Sequence, residues 1–330
     1  MIAGRYRLDV PLGRGGMGEV WRAEHRLLAR QAAIKLIRRE VVEKSGLALT
    51  ELRERFQLEA QTLAMLRSRH TIELFDYGVT DDGTFFFVME LLEGIDIETL
   101  GMKFGPQPAA RVISFLIQAC KSLAEAHEAG MVHRDIKPAN LFACRIADEV
   151  DVIKVLDFGL VHAAGRAAKI EKAAESSASI DPRLTQAGRY LGTPGFMAPE
   201  QGMATGEVDG RADLYALACT AVWLLTGRLL FEAQTSDAVI LQHIVNPVPP
   251  FREWVEGKLP EDLEAVLLDC LAKNPADRPA SARVVIERLQ KIRVDPANGW
   301  SEERARRWWT KAAIAEDASS PPRSRRAPRA

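Results

Sequence analysis

The chain has 330 residues, 47% of them hydrophobic and 27% charged, a balance that suits a globular protein of about two domains or lobes with a sizeable core. Its formal net charge of −1 gives no bulk electrostatic reason to expect a polyanionic partner, nucleic acid included. Cys120, Cys144, Cys219 and Cys270 lie far apart with neither a C-x-x-C pair nor zinc spacing, which excludes a disulfide or zinc framework and leaves reduced core thiols.

Met1 to Asp9 lack the apolar core of a secretory signal. Tyr6 to Leu12 and Val20 to His25 then alternate loosely and flank Gly13-Arg14-Gly15-Gly16-Met17-Gly18-Glu19-Val20. Two short strands joined by such a turn form a hairpin whose backbone can lie close to phosphates, because the glycines carry no Cβ. A dinucleotide fold needs a helix straight after the glycines, but Val20-Trp21-Arg22-Ala23-Glu24 is strand-like. Walker A is excluded as well, since Glu19 stands where Gly-Lys-Ser/Thr is required. Ala32-Ala33-Ile34-Lys35-Leu36-Ile37 is a strand with one lysine among apolar residues; by itself it could be an edge lysine reaching to water. Val42 to Thr50 reads as a surface insertion before a helix whose stripe is Phe56, Ala60, Leu63 and Leu66. Glu51, Glu54 and Glu59 all sit on that segment. Phe85 to Met89 reads as a buried strand running into a linker, Glu90 to Gly94.

In the second half, Val112, Leu116, Ala119, Leu123 and Ala126 mark one face of a helix ended by Gly130. Met131-Val132-His133-Arg134-Asp135-Ile136-Lys137-Pro138-Ala139-Asn140-Leu141-Phe142 follows, with an acid, a lysine and an amide within six positions. A charged surface turn could carry them, but so could phosphoryl transfer: the acid orients a hydroxyl, the lysine neutralises charge, and the amide holds a divalent cation. Val152 to Leu156 is a strand that delivers Asp157-Phe158-Gly159. Further on come Gly192-Thr193-Pro194-Gly195-Phe196-Met197-Ala198-Pro199-Glu200, and then Asp213 ahead of Leu214 to Leu225, hydrophobic all round and hence a buried helix. That run, broken by Thr220, is too short to span a bilayer. Asn274 to Pro279 holds Arg278. Beyond Asp295, Trp300 to Ala315 forms a short helix capped by Ser301, with Glu302 and Glu303 in its first turn and Trp308 and Trp309 expected to pack on the body. Ser319 to Ala330, rich in Pro, Ser and Arg, is expected to be disordered.

With these stretches the chain resembles the eukaryotic-type protein kinases over about residues 6 to 294: G-x-G-x-x-G-x-V, V-A-I-K with Ala32 for the valine, H-R-D-x-x-x-x-N, D-F-G and A-P-E stand in the family's order. The wording GRGGMGEV, HRDIKPAN and GTPGFMAPE is most similar to the bacterial, Hanks-type serine/threonine kinases. The resemblance implies an α+β bilobal fold, with a small antiparallel β-rich N-lobe holding one key helix (residues 1–93) and a larger, mainly helical C-lobe (94–295). A helical extension (296–318) and a basic tail (319–330) follow. It implies ATP as phosphoryl donor with Mg²⁺, or Mn²⁺ in its place. Leu12, Gly13, Gly15, Gly16, Gly18, Val20, Ala33, Lys35, Met89, Glu90, Leu92 and Phe142 would bind the nucleotide, Met89 as gatekeeper and Glu90 to Leu92 as hinge. Asp135 and Lys137 would serve the reacting groups, Lys35 would hold phosphates with Glu59 behind it, and Asn140 and Asp157 would hold metal.

By the same resemblance Asp213 anchors the catalytic loop from below, Arg278 pairs with Glu200, and Thr193 marks a serine/threonine specificity. Thr185, between Gly159 and Gly192, would be an activating phosphorylation site received by Arg134, reached by autophosphorylation in a transient homodimer. Protein substrates, a cytoplasmic location and no membrane span complete the expectation. A pseudokinase scaffold would need a lost metal or base position, and none is lost. A small-molecule phosphotransferase of related fold would lack the A-P-E segment. Residues 296–330 are expected to be dispensable for the chemistry.

Overall fold

The computed structural model describes residues 1–15, 18–38, 49–158, 193–203 and 208–319. Strands β1 (Tyr6–Arg14), β2 (Gly18–His25) and β3 (Arg30–Ile37) run antiparallel, helix α1 (Leu49–Met65) follows, and β4 (Leu74–Val79) and β5 (Phe85–Met89) complete a sheet of order β1-β2-β3-β5-β4. β3 sits in the middle of this sheet, and its alternation divides two small cores. Ala32 and Ile34 face Tyr6, Ala23, Phe86 and Val88 on one side. Ile37 turns to the other side, where Phe56 and Ala60 of α1 pack on Phe85 and Phe87. The ring of Phe56 lies 4.2 Å from that of Phe87 and 4.7 Å from that of Phe85. The expected α1 stripe is thus the one buried, and Leu63 continues it into the larger core.

The chain crosses to the second half through β6 (Gly94–Asp96) and α2 (Ile97–Phe104), then enters α3 (Ala109–Glu128). β6 pairs with β7 (Leu141–Ile146), which pairs with β8 (Glu149–Val155). The helices α4 (Pro199–Met203), α5 (Arg211–Thr226), α6 (Ser236–Val245), α7 (Glu261–Cys270), α8 (Ala282–Lys291) and α9 (Glu302–Ser319) follow. The α3 face expected from the sequence is buried, and α5, hydrophobic all round, forms the centre of the large core. Gly227 ends α5 at φ 69°, a left-handed cap whose N–H donates to Trp223 O at 2.7 Å. All four cysteines are buried and unlinked, and burial pushes their thiols up, which leaves them unreactive. Among the described residues no helix is long and apolar enough to cross a membrane.

The C-terminal segment docks on this body through a buried ion pair. Arg111 at the start of α3 is fully buried, and its guanidinium meets Asp151 on β8 by Nε at 2.9 Å and Nη2 at 2.7 Å. Each oxygen of Asp151 also accepts an indole N–H, from Trp300 and Trp309, both at 2.7 Å. Trp308 lies over the guanidinium at 3.9 Å and edge-on to Phe104 at 4.9 Å. Ser301 caps α9 as expected, accepting from Arg304 N at 3.3 Å. The expected insertion over Val42 to Thr50 lies mostly outside the described residues, as does the basic tail beyond Ser319.

Candidate active site

The loop from Met131 to Ile136 has no regular structure, so its geometry needs external support, and Asp213 supplies it. This carboxylate, fully buried at the start of α5, accepts His133 N at 2.9 Å, Arg134 N at 2.7 Å and His127 Nε2 at 2.7 Å. Those bonds hold Arg134 in the left-handed region at φ 66°, a conformation that a non-glycine residue keeps only when its surroundings impose it. Burial works against ionisation of Asp213, but the hydrogen bond and charge of His127, with help from His133, prevail and hold its carboxyl below the usual range. A depressed carboxylate pKa contributes stability that is complete above the unfolded value, about 4, and is lost as pH falls through the folded value. Urea unfolding across the acid range is therefore expected to show a pH slope in this chain that Asp213→Asn flattens. Equal slopes would remove Asp213 from that account.

Above this support, the acid, the lysine and the amide converge. Lys137 Nζ lies 2.8 Å from Asp135 Oδ2 and donates to Thr193 Oγ1 at 2.8 Å, while Thr193 Oγ1 donates to Asp135 Oδ1 at 3.4 Å. Asn140 Nδ2 donates to the carbonyl of Asp135 at 2.7 Å and to its Oδ2 at 3.1 Å. With its amide nitrogen spent on Asp135, Asn140 keeps Oδ1, an acceptor, for a cation. Residues 58 positions apart in the chain, Asp135 and Thr193, thus share one hydrogen-bonded triangle with Lys137.

Asp157 enters at the end of β8 with φ 57°, again left-handed, and its Oδ2 lies 2.7 Å from Lys35 Nζ. Asp157, expected as a metal ligand, is thus also the acid found against Lys35. Lys35 is only 5% exposed and requires a counter-charge, and the turn at Asp157 carries a carboxylate directly to it. Glu59 stays half-buried on α1. Burial opposes ionisation of Asp157, but the charge and hydrogen bond of Lys35, aided by His133 and Lys137, outweigh it and hold the carboxyl below its ordinary range. Phe158 beside it is buried, its ring 4.8 Å from that of His133. Among the described residues no group of three or more His, Cys, Asp or Glu stands together. Asn140 and Asp157 nevertheless fit Mg²⁺, which takes one or two carboxylates and completes its shell with water and phosphate oxygens.

The remaining candidates surround this centre. Gly13 lies opposite Val20, and Gly15 N donates to Gly18 O at 2.9 Å; Gly16 lies outside the described residues. The glycines differ in what they need. A Cβ on Gly13 or Gly15 would meet nothing within 4 Å, whereas one on Gly18 would fall 2.0 Å from Leu36 O. Gly18 is thus required by the adjacent strand, a reason that the phosphate argument did not include. Leu12 is exposed on β1, Val20 pairs with Lys35, and Ala33 stands opposite Met89. Glu90 spends its N–H on Glu73 O at 3.0 Å, so only its carbonyl can serve an adenine edge. Leu92 and Phe142 are half-buried. Thr185 lies outside the described residues. Behind the centre, Arg278 and Glu200 form the expected pair, bidentate at 2.7 Å for both bonds and buried.

The sequence reading did not single out His127 or Lys154. Lys154, a lysine inside a buried strand, was the available signal.

A protein kinase domain model matches residues 6–289. Serine/threonine-protein kinase pkn3 of Myxococcus xanthus is 35% identical over 292 residues, 88% of this chain and 50% of that protein. Serine/threonine-protein kinase PknH of Mycobacterium tuberculosis is 35% identical over 279 residues, 84% of this chain and 40% of that protein. The chain therefore spans about half, or less, of the length of these curated relatives. The crystal structure of the Mycobacterium tuberculosis PknI kinase domain superposes with a TM-score of 0.63 at 27% identity, covering 88% of this chain and 97% of that one. The arrangement of Lys35, Asp135, Asn140 and Asp157 on this fold, with the family model matched over most of the chain, makes this protein a member of the protein kinase domain family.

Proposed function

We propose that this chain transfers the γ-phosphoryl group of ATP to serine and threonine hydroxyls of proteins. The observation that carries the reading is the triangle of Asp135, Lys137 and Thr193, with Asn140 bonded to Asp135 and Asp157 held ionised by Lys35. In the transfer, Asp135 accepts and orients the hydroxyl that attacks, and Lys137 offsets charge on the group in flight. Lys35 engages the phosphates, the Gly13–Gly18 hairpin covers them, and Met89, the Glu90 carbonyl, Leu92, Ala33 and Phe142 hold the base. Asn140 and Asp157 would hold Mg²⁺, or Mn²⁺, which neutralises phosphate charge when bound. Most of the catalysis is positioning and charge compensation, the form of assistance that phosphoryl transfer requires.

Thr193 supports the choice of hydroxyl: it bridges the base and the lysine at the place where a substrate side chain must arrive. Arg134, adjacent to the base, suits a phosphorylated Thr185, and copies of the chain meeting transiently would supply that phosphate in trans. Purified chain with Mg²⁺ and ATP is expected to phosphorylate itself and a generic basic protein on Ser and Thr. Phosphate on tyrosine alone, or incorporation no greater than that of Asp135→Asn, would overturn the reading. Mass spectrometry after autophosphorylation is expected to find Thr185 modified, with Thr185→Ala slower.

A further inference from the structure

We propose that Lys154 is a positioning residue for the nucleotide, an internal strut that fixes the segment after β5 to the strand that carries Asp157. The proposal rests on the ATP-dependent reading above and adds to it a residue that contacts neither phosphate nor metal.

Lys154 is 6% exposed, and its ammonium has two protein partners: Glu90 Oε1 at 2.5 Å and Thr71 O at 3.3 Å. Glu90 Oε1 accepts a second bond, from Glu73 N at 2.9 Å, and Glu90 N returns one to Glu73 O at 3.0 Å. Side chain and main-chain N–H of Glu90 are thereby both held against residues 71–73, which leaves its carbonyl as the main-chain group still available. The strand end is tied to the same segment: Val155 N donates to His70 O at 2.7 Å and Ile72 N to Val155 O at 3.1 Å. Lys154 also stands directly opposite Phe142 in the β7–β8 pair, and directly opposed residues share a face of the sheet. One side chain therefore links the proposed hinge, the proposed floor of the base pocket and, three residues on, Asp157. Separating a buried ammonium from its carboxylate is costly, so the pair resists movement of the Glu90 carbonyl relative to Phe142.

The test compares Lys154→Met, Glu90→Gln and the double variant, each checked for cooperative thermal unfolding. Initial rates with ATP and peptide varied are combined with direct titration of ADP. Each single variant is expected to raise KM for ATP and Kd for ADP by about tenfold while kcat and the KM for peptide stay within about twofold, a split that general loosening of the fold does not produce. The double variant is expected to be no worse than either single one, because both remove the same pair. Where Lys154→Met does not fold, Glu90→Gln, which keeps an acceptor, decides by its ADP titration. Unchanged nucleotide affinity in a folded variant, equal rises in both KM values, or additive losses in the double variant would each overturn the proposal. A failure of the ATP reading itself is distinguishable, since the unsubstituted chain would then bind no ADP.

Discussion

Asp157→Asn is expected to reduce phosphoryl transfer by about three orders of magnitude or more and to weaken nucleotide binding along with it. The substitution preserves shape and an acceptor but removes the charge that Lys35 meets at 2.7 Å and that a metal ion would require. Asp135→Asn is expected to behave differently. Asp135 touches Lys137, Thr193 and Asn140, so its loss removes general-base assistance, worth about 10²–10⁴ in rate, while ADP affinity stays near that of the unsubstituted chain. Single-turnover rates and ADP titration on both variants separate the two roles. Undiminished transfer by Asp157→Asn, in a preparation free of host kinase, would falsify the assignment of the centre. Loss of ADP binding by Asp135→Asn to the same degree as Asp157→Asn would show that the two acids act as one unit.

The parts of this site legible in the sequence were those in which local spacing and chemistry coincide. Asp135, Lys137 and Asn140 lie within one loop, and the buried α5 helix with Asp213 at its start was readable from an apolar run preceded by an acid. The pair of Arg278 and Glu200 was accessible only through flanking motifs, because nothing local ties residues so far apart. The contact between Lys35 and Asp157 was not legible, because it depends on a left-handed φ at Asp157 that leaves no periodic trace. Lys154 was missed because a lysine in a buried strand has no meaning until its carboxylate is found 64 residues away across the fold. The role of Gly18 was only half legible, since the carbonyl that forbids its Cβ belongs to a neighbouring strand.

The same limit applied to Arg111 and Asp151, two ordinary charges in the sequence, and it sets the last expectation. A chain ending at Asp295 is expected to transfer phosphate at an undiminished rate per folded molecule yet to melt well below the full chain. No residue of the proposed chemistry lies beyond Arg278, so the reacting groups survive the cut. What is lost is the cover over a fully buried guanidinium: the two indole N–H donors to Asp151 and the Trp308 ring over Arg111. Hydrogen bonds to a charged group contribute about 1.5–3 kcal/mol each, and removing both leaves Asp151 with Arg111 alone. A loss of roughly 3–6 kcal/mol, at about 2–4 °C per kcal/mol for a large domain, lowers the melting temperature by about 6–24 °C. Trp300→Phe and Trp309→Phe separate hydrogen bonding from packing, since each keeps an aromatic body and deletes one donor. Each is expected to produce part of the shift, and together they should fall short of the truncation by the contribution of the segment's remaining packing, that of Trp308, Ala305 and Ala312 included. A truncated chain with an unchanged melting temperature would show that the indole contacts contribute nothing to the folded state. One that stays folded but transfers phosphate slowly would place the α9 helix within the working part of the enzyme.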